Sequence, residues 1–258
     1  MIHLKSDSEI KIMEEGGKIL AEVLQEVLEK VEEGVSEKEL DEFADKLIAA
    51  RGARPAFKKV DGYKNATCIS TNSGVVHGVP TNYRLKKGDV VGVDCGVLYK
   101  GFYTDMSETV RVSSQKSKLK SQKQDEVDRF LETGKRALEE AIKQAVLGNR
   151  IGHISKTIQE IIEKEGYSVV RSLIGHGVGR SLHEDPEVPG FLDKKIEKTA
   201  RLSEGMTIAI EIIYNMGSPE VIYDTSDNWT IRTQDDSLSG LFERTVAIRK
   251  NGPKILTA

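Results

Sequence analysis

The strongest constraint on the fold of this chain is an internal repeat with an offset of 117 positions. The first repeated segment has a helical pattern and pairs Glu9 with Glu126, Met13 with Phe130, Gly17 with Gly134 and Glu22 with Glu139. A second, strand-like segment, residues 85–94, has the same offset from residues 202–211. Because chance rarely gives one offset to two separated segments, the 258 residues are predicted to form two related halves, about 1–112 and about 124–258.

Each half is predicted to begin with two helices. Residues 9–31 place apolar side chains at helical spacing, and Ser36 with Glu39 has the pattern of a capping box that begins a second helix. Residues 127–142 and 151–162 repeat this plan in the second half.

Strand-like segments follow both helix pairs. The segments that end at Asp94 and Glu211 are rich in Val and Ile, which is typical of strands. Two related halves that face each other would bring these two carboxylates together at a pseudo-twofold axis. We therefore predict an α+β fold with duplicated halves, in which helices cover a central, mostly antiparallel sheet.

Charge and composition argue against several kinds of partner. The 38 basic and 41 acidic side chains leave a net charge of −3, which gives no electrostatic basis for binding nucleic acid or an anionic membrane. No apolar run approaches the roughly 18 residues of a membrane span, and the polar N-terminus does not resemble a signal peptide. Cys68 and Cys95 are predicted to be reduced thiols, which favours a cytoplasmic location. The polar, basic segment 113–122 is predicted to be a solvated linker.

Four carboxylates stand out, because a carboxylate inside a core is costly unless it is paired or bound to a cation. Asp94 and Glu211 end matching strands, and Asp105 follows Asp94 across a predicted hairpin. Glu243 lies at the opening of the predicted final strand. Each of them alone would fit an ordinary turn or edge, but their placement on duplicated strands indicates a common site.

Three of the five histidines lie in loops bounded by glycine or proline. His77 precedes Gly-Val-Pro, His176 has glycine on both sides, and His183 precedes Glu-Asp-Pro. Glycines beside His176 allow the backbone to approach a ligand closely. His3 and His153 have no such context and are predicted to lie on the surface or to pack against a helix.

Four carboxylates and one imidazole suit a divalent ion such as Mn²⁺, Fe²⁺, Co²⁺ or Zn²⁺, and the donor types do not choose among these metals. So many acids around one ion would leave excess negative charge, so we predict two ions that share bridging carboxylates. Such a pair can ionise a water and stabilise the attack on a carbonyl, which indicates a hydrolase. The predicted ligands are Asp94, Asp105, His176, Glu211 and Glu243.

This ordered set, together with His77 and His183, resembles the type I methionine aminopeptidases, which have the pita-bread fold. The similarity covers nearly the whole chain and consists of several separate motifs in the right order. The motifs are Leu4-Lys5-Ser6, residues 75–80, residues 175–179, residues 183–186, Asn228-Trp229-Thr230 and Glu243-Arg244-Thr245.

The resemblance implies a metallo-aminopeptidase that removes the N-terminal methionine from nascent proteins and peptides. It also implies a preference for a small second residue and two metal ions that activate a bridging water. In this reading Asp94 chelates one ion, Asp105 and Glu243 bridge both ions, and His176 and Glu211 complete the second.

The resemblance implies further roles around the reacting bond. Glu211 would shuttle the proton of the water, His183 would hydrogen-bond the scissile carbonyl or the tetrahedral oxygen, and His77 would contact the scissile amide nitrogen. A pocket for the methionine side chain would be lined by Tyr63, Cys68, Trp229 and Phe57. Soft sulfur and aromatic walls suit a thioether.

Two features depart from the family pattern, and two alternatives stay open. Ile212 follows Glu211 where the family usually has proline, and Phe57 and Val60 occupy positions where some members have other pocket residues. The alternatives are an X-Pro aminopeptidase or prolidase of the same fold, and a catalytically silent module that binds peptides. Prolidases usually carry an additional N-terminal domain, and silent relatives typically lack some ligands. We predict a single catalytic domain, residues 1–258, that acts as a monomer, and the resemblance leaves contact with the ribosome open.

Overall fold

The computed structural model describes residues 2–113 and 126–258. The helices are α1 (Asp7–Leu28), α2 (Glu37–Ala50), α3 (Glu126–Lys143) and α4 (Ile151–Lys164). The strands are β1 (Arg54–Pro55), β2 (Thr67–Thr71), β3 (Gly74–Val76), β4 (Val90–Tyr99), β5 (Phe102–Arg111), β6 (Ser168–Val169), β7 (Gly175–Gly177), β8 (Glu184–Val188), β9 (Thr207–Asn215), β10 (Val221–Tyr223), β11 (Ile231–Thr233), β12 (Ser239–Arg249) and β13 (Gly252–Ile255). Of the predicted linker, residues 113–122, all but residue 113 lie outside the described residues.

One large sheet joins the two halves of the chain. Its main path runs β1-β4-β5-β12-β9-β7-β8, with β2 added to β4, β6 to β9 and β13 to β12. A small second sheet has the order β10-β11-β3. The strand pairs of both sheets are antiparallel, so the predicted α+β class with a central antiparallel sheet is confirmed.

The helices cover one face of the sheet. Because side chains alternate along a strand, Val91 and Val93 of β4 pack in the core beneath α1 and α2, and Ile208 and Ile210 of β9 pack beneath α3 and α4. The predicted capping box of Ser36 and Glu39 begins α2, and an equivalent box of Ser6 and Glu9 begins α1. Helix α1 ends at Leu28 rather than near residue 31, although Val31 is still buried in the same core.

The duplication is visible in the strand register. Asp94 of β4 lies opposite Ser107 of β5, and its repeat Glu211 of β9 lies opposite Glu243 of β12. Ser107 and Glu243 are therefore structural counterparts, and they pair with each other where β5 meets β12. The pseudo-twofold axis thus passes between these two residues, at the centre of the sheet.

Two threonines complete the junction of β5 and β12. Thr109 Oγ1 donates to the Leu241 carbonyl at 2.7 Å and accepts from the Leu241 amide at 2.9 Å. Thr245 Oγ1 does the same with the carbonyl and amide of Asp105, at 2.8 and 2.9 Å. These two threonines are counterparts across the axis, and each replaces a pair of backbone ladder bonds with side-chain bonds.

Replacing Thr245 with the isosteric Val is expected to lower the free energy of unfolding by about 2 kcal/mol or more. The substitution leaves the buried amide and carbonyl of Asp105 without partners, and each buried unsatisfied group costs about 1–3 kcal/mol. Urea unfolding of the metal-free protein measures the change. An effect below about 0.5 kcal/mol, the range of ordinary surface substitutions, would contradict this account of the junction.

The strand boundaries differ from the sequence prediction. Asp94 and Glu211 lie inside β4 and β9 rather than at their ends, and Glu243 lies well inside β12, which is followed by β13. Each carboxylate interrupts an apolar run without ending it, since Ile212 and Ile213 follow Glu211. The strand itself continues, since Val97 still alternates toward the helix side of β4.

Candidate metal centre

One row of residues crosses the sheet at the pseudo-twofold axis. In order, the row pairs Cys68 of β2, Asp94 of β4, Ser107 of β5, Glu243 of β12 and Glu211 of β9. Residues directly opposite each other on paired strands point to the same face. The row therefore projects three carboxylates from both halves of the chain into one space, on the face away from the helices.

Asp105 and His176 join this row because of the two-residue period of a strand. Asp105 lies two residues before Ser107 on β5, and His176 lies opposite Ala209, two residues before Glu211. Asp105 faces Gly96 across the β4–β5 pair, where an added Cβ would lie 3.2 Å from the Asp105 carboxylate and 2.8 Å from Ala56 Cβ. Glycine at this position leaves the room that the carboxylate occupies.

The donor atoms of the site are close to one another. Asp105, His176 and Glu243 each present one donor atom, and these three atoms all lie within 4.8 Å of one another. His176 Nε2 is 3.4 Å from Glu211 Oε1. Asp94 lies in the same row, beside Cys68. All five predicted ligands therefore lie at one place on the sheet.

The ring of His176 is oriented with one nitrogen toward the cluster. His176 Nδ1 lies 2.9 Å from the Gly177 carbonyl, and since a carbonyl only accepts, Nδ1 carries the proton. Burial, and then the neighbouring His183, lower the pKa of His176 to about 4, so the ring is neutral near pH 7. A neutral ring with Nδ1 protonated presents the Nε2 lone pair, which is the form that binds a metal.

The carboxylates of the cluster are hard to ionise together. Burial raises the pKa of Asp94 to about 7. Burial, and then the charge of Asp94, raise the pKa values of Asp105 and Glu211 well above the usual range. Burial, and then the charge of Asp105, do the same to Glu243. Four buried acids that repel one another favour a bound cation, which would stabilise their charged forms.

Unpartnered atoms support the same conclusion. Within the described part of the chain, Asp94 Oδ1 and Glu243 Oε1 are buried and have no hydrogen-bond partner. A buried polar atom without a partner is rare and calls for a ligand such as an ion or water. The oxygen and imidazole donors, their spacing and these free oxygens fit divalent metal ions of the predicted kind.

A pocket of about 210 Å³ lies directly against the cluster. It brings together every residue that the sequence assigned to metal, catalysis or substrate. Its walls are Phe57, Val60, Tyr63, Cys68, His77, Asp94, Asp105, His176, Leu182, His183, Glu211, Trp229 and Glu243. A larger cleft of about 700 Å³ shares several of these residues and leads outward past His3, Arg180 and Ser181.

The wall away from the carboxylates is apolar. The rings of Tyr63 and Trp229 meet edge to face at 5.2 Å between centroids, and the Tyr63 hydroxyl donates to the Thr67 carbonyl at 2.8 Å. Leu182, one residue before His183, belongs to this wall, and Cys68, which lies beside Asp94, connects it to the carboxylates. Sequence reasoning missed Leu182, because a single leucine in a loop carries no periodic signal.

His77 and His183 lie beside the cluster. The ring centroid of His183 is 4.4 Å from that of His176. His77 has a φ of 56°, a left-handed conformation that is uncommon outside glycine and that concentrates at functional sites. Burial lowers the pKa values of both His77 and His183, so both rings are neutral near pH 7.

The remaining histidines and Ile212 lie outside the pocket wall. His153 Nδ1 accepts from the Arg150 amide at 3.0 Å, so this ring caps the helix α4 to which it belongs. His3 is exposed at the cleft. Ile212 points into the core beneath the helices, on the opposite face of β9 from Glu211. Among the described residues, no helix is long and apolar enough to cross a membrane.

Comparison with known proteins agrees with this geometry. The model of metallopeptidase family M24 matches residues 11–248. A methionine aminopeptidase of Clostridium perfringens is 42% identical over 100% of this chain and 99% of its own length. Methionine aminopeptidase 1 of Bacillus subtilis is 37% identical over 100% of this chain and 99% of its own length.

Solved structures give the same relationship. The methionine aminopeptidase of Thermotoga maritima superposes with a TM-score of 0.92 at 38% identity, covering 100% of this chain and 99% of that one. The prolidase of Pyrococcus furiosus gives 0.77 at 27% identity, covering 99% of this chain and 65% of that one. The expected pita-bread fold is thereby confirmed, and the chain belongs to metallopeptidase family M24 as a relative of the methionine aminopeptidases.

Proposed function

We propose that this chain is a methionine aminopeptidase that removes the N-terminal methionine from nascent proteins and peptides with a small second residue. The observation that carries the proposal is the position of the acidic cluster, which forms one wall of a 210 Å³ pocket whose other walls are aromatic and apolar. A scissile bond beside the cluster would place the preceding side chain against Tyr63, Cys68 and Trp229. An unbranched thioether adapts well to such walls.

The ligands that would hold two divalent ions are those that the sequence predicts. Asp94, Asp105, His176, Glu211 and Glu243 would each supply a ligand atom to these ions. When bound, such ions lower the pKa of a water and polarise a carbonyl. Co²⁺, Mn²⁺, Fe²⁺ and Zn²⁺ are all compatible with these donors.

The chain's own side chains would perform the remaining tasks. Glu211 would accept the proton of the attacking water and deliver it to the leaving amine. His183, neutral at pH 7, would donate to the developing oxyanion, and His77 would contact the scissile amide nitrogen. Tyr63 and Trp229 would hold the methionine side chain and exclude water from it.

A peptide assay tests the function. Protein stripped of metal and resupplied with each ion in turn should release methionine from Met-Ala-Ser, and it should not cleave an Ala-Pro peptide. Preferential cleavage after the first residue of X-Pro peptides would replace the proposal with the prolidase alternative. Failure to bind any divalent ion in calorimetry would favour the silent module.

His183→Ala is expected to lower kcat by about 10²-fold or more, because it removes a donor to the oxyanion. The KM for Met-Ala-Ser should change much less. Steady-state kinetics with saturating metal measures both constants. A change confined to KM would show that His183 serves ordinary substrate binding instead.

The organisation of the protein in the cell is a further part of the proposal. We propose that residues 1–258 act as a single catalytic domain and as a monomer, on chains emerging from the ribosome. Cys68 and Cys95 are both buried and unbonded, which supports a reducing, cytoplasmic setting. Sedimentation of the purified protein measures the oligomeric state.

A further inference from the structure

A buried ion pair connects the N-terminal segment to the loop that carries His183. Lys5 Nζ donates to Glu184 Oε2 at 2.5 Å, and the two side chains are only 3% and 6% exposed. The partners are 179 positions apart in the sequence. Because a buried ion pair is costly to desolvate, stability alone is a weak reason for its presence one residue from His183.

The lysine end of the pair is fixed by the backbone. The Lys5 amide donates to the Gly205 carbonyl at 2.7 Å, and Lys5 Nζ also donates to the His3 carbonyl at 3.1 Å. An added Cβ at Gly205 would lie 2.6 Å from the Lys5 carbonyl oxygen, so the two segments are in direct contact. Since Gly205 lies two residues before β9, the strand that carries Glu211, Lys5 is bonded to a segment that leads into the central sheet.

The glutamate end of the pair shapes the loop. Glu184 Oε1 accepts from the Ser181 amide at 3.0 Å, which closes the loop on itself. An added Cβ at Gly179 would lie 2.2 Å from Lys5 Cε, so the lysine side chain lies directly on the loop backbone. On the other side, the Gly179 carbonyl accepts from the Tyr103 amide at 2.7 Å. The loop is therefore held between Lys5 and the β5 strand.

This arrangement aims His183. Glu184 begins β8, and the two residues before it, Leu182 and His183, both line the pocket. The Glu184 side chain is bonded to Lys5, and the ring of the adjacent His183 lies 4.4 Å from that of His176. We propose that Lys5 and Glu184 form a positioning pair that holds His183, and with it Leu182, at the scissile bond. The inference rests on the proposed function only for the role of His183.

Two variants that differ in buried charge distinguish a positioning role of the pair from a purely stabilising one. Lys5→Met keeps the length of the side chain but leaves the Glu184 charge buried and unpaired, so we expect a lower thermal midpoint. In Lys5→Met/Glu184→Met both charges are gone, and the thermal midpoint should recover. Positioning should not recover, because the double variant lacks the bond between Lys5 and Glu184. The neighbouring pair of Arg180 with Glu9 is present in both variants and cannot account for a difference between them.

The kinetic test uses metal-saturated enzyme and Met-Ala-Ser. Both variants should lose about 10-fold in kcat, since small misplacements of catalytic groups cost that much or more, with KM nearly unchanged. In a His183→Ala background, Lys5→Met should cause no further loss. Controls are Lys254→Met, which removes the exposed pair with Glu14, and Ile158→Val, which lowers stability in the core beneath α4. Recovery of kcat together with stability, or losses that multiply with His183→Ala, would overturn the proposal.

A second readout does not depend on activity. Histidine ring nitrogens can be followed by NMR in the Zn²⁺-loaded protein, with His183 assigned by its absence in His183→Ala. Lys5→Met should shift or broaden the His183 signals and leave those of His153 unchanged. Unchanged His183 signals would overturn the positioning pair whatever reaction the protein catalyses. If instead His183→Ala keeps full activity while these signals move, the positioning pair stands and the proposed role of His183 is wrong.

Discussion

Glu211→Gln is expected to lower kcat for Met-Ala-Ser by about 10³-fold or more while the protein stays folded. Gln cannot take up the proton of the attacking water, and it is a weaker ligand than a carboxylate. The fold should tolerate the change, because Gln has the same shape and the site is already crowded with negative charge. Steady-state kinetics with saturating metal measures the loss.

The thermal stability of Glu211→Gln is a control for the kinetic result, because stability should not fall although activity does. Burial and the charge of Asp94 raise the pKa of Glu211 in the absence of metal, so the ionised side chain is unfavourable in the folded state. Removing it should leave the thermal midpoint of the metal-free protein at pH 7.5 unchanged or higher. If Glu211→Gln unfolds, its loss of activity says nothing about the mechanism. The kinetic test is then made with Glu211→Asp, which keeps the carboxylate but shortens the side chain. Activity like the wild type in Glu211→Gln would remove this residue from the mechanism.

Metal removal is expected to abolish activity and to change how stability depends on pH. The raised pKa of Asp94, about 7 against an unfolded value of about 4, means that the folded metal-free protein binds more protons than the unfolded chain in this range. Its stability should therefore fall as pH rises from about 4 to about 7. Bound cations require the ionised carboxylates, so their stabilising effect should increase over the same range.

Thermal unfolding with and without Mn²⁺ measures this effect. The increase in thermal midpoint on adding Mn²⁺ should be larger at pH 7.5 than at pH 5.5, and Mg²⁺ at the same ionic strength controls for nonspecific screening. Asp94→Asn should reduce the pH dependence of the metal-free protein. An increase that is the same at both pH values would contradict the buried acidic cluster.

The sequence predicted the chemistry of the site better than its geometry. Candidate ligands such as Asp105 and His176 could be proposed from the sequence because repeats, glycines and isolated carboxylates are local patterns. The register that sets Glu243 directly opposite Glu211 depends on where β12 joins the sheet, which no local pattern contains. For the same reason the strands were predicted to end at Asp94 and Glu211, although both continue.

Contacts between distant segments were the part that sequence could not predict. Lys5 and Glu184 both lie in motifs that the resemblance singled out, but their pairing is set by how the N-terminal segment crosses the second half. Thr109 and Thr245 look like ordinary β-branched strand residues, and only the assembled sheet shows that they replace ladder bonds at the centre. The position of Leu182 in the pocket wall likewise depends on the path of its loop, which the sequence does not show.

The pseudo-twofold axis has a consequence for how a peptide can lie in the cleft. The two halves have threonine at the equivalent positions 109 and 245. They differ at two other equivalent positions, where Ser107 of the first half corresponds to Glu243 of the second, and Asp105 corresponds to Leu241. Identical halves would have offered an extended chain two equivalent directions of entry. Divergence at these few central positions placed Asp105 on one side of the axis and Leu241 on the other, so the two ends of the site are no longer equivalent and we expect a bound peptide to take one orientation.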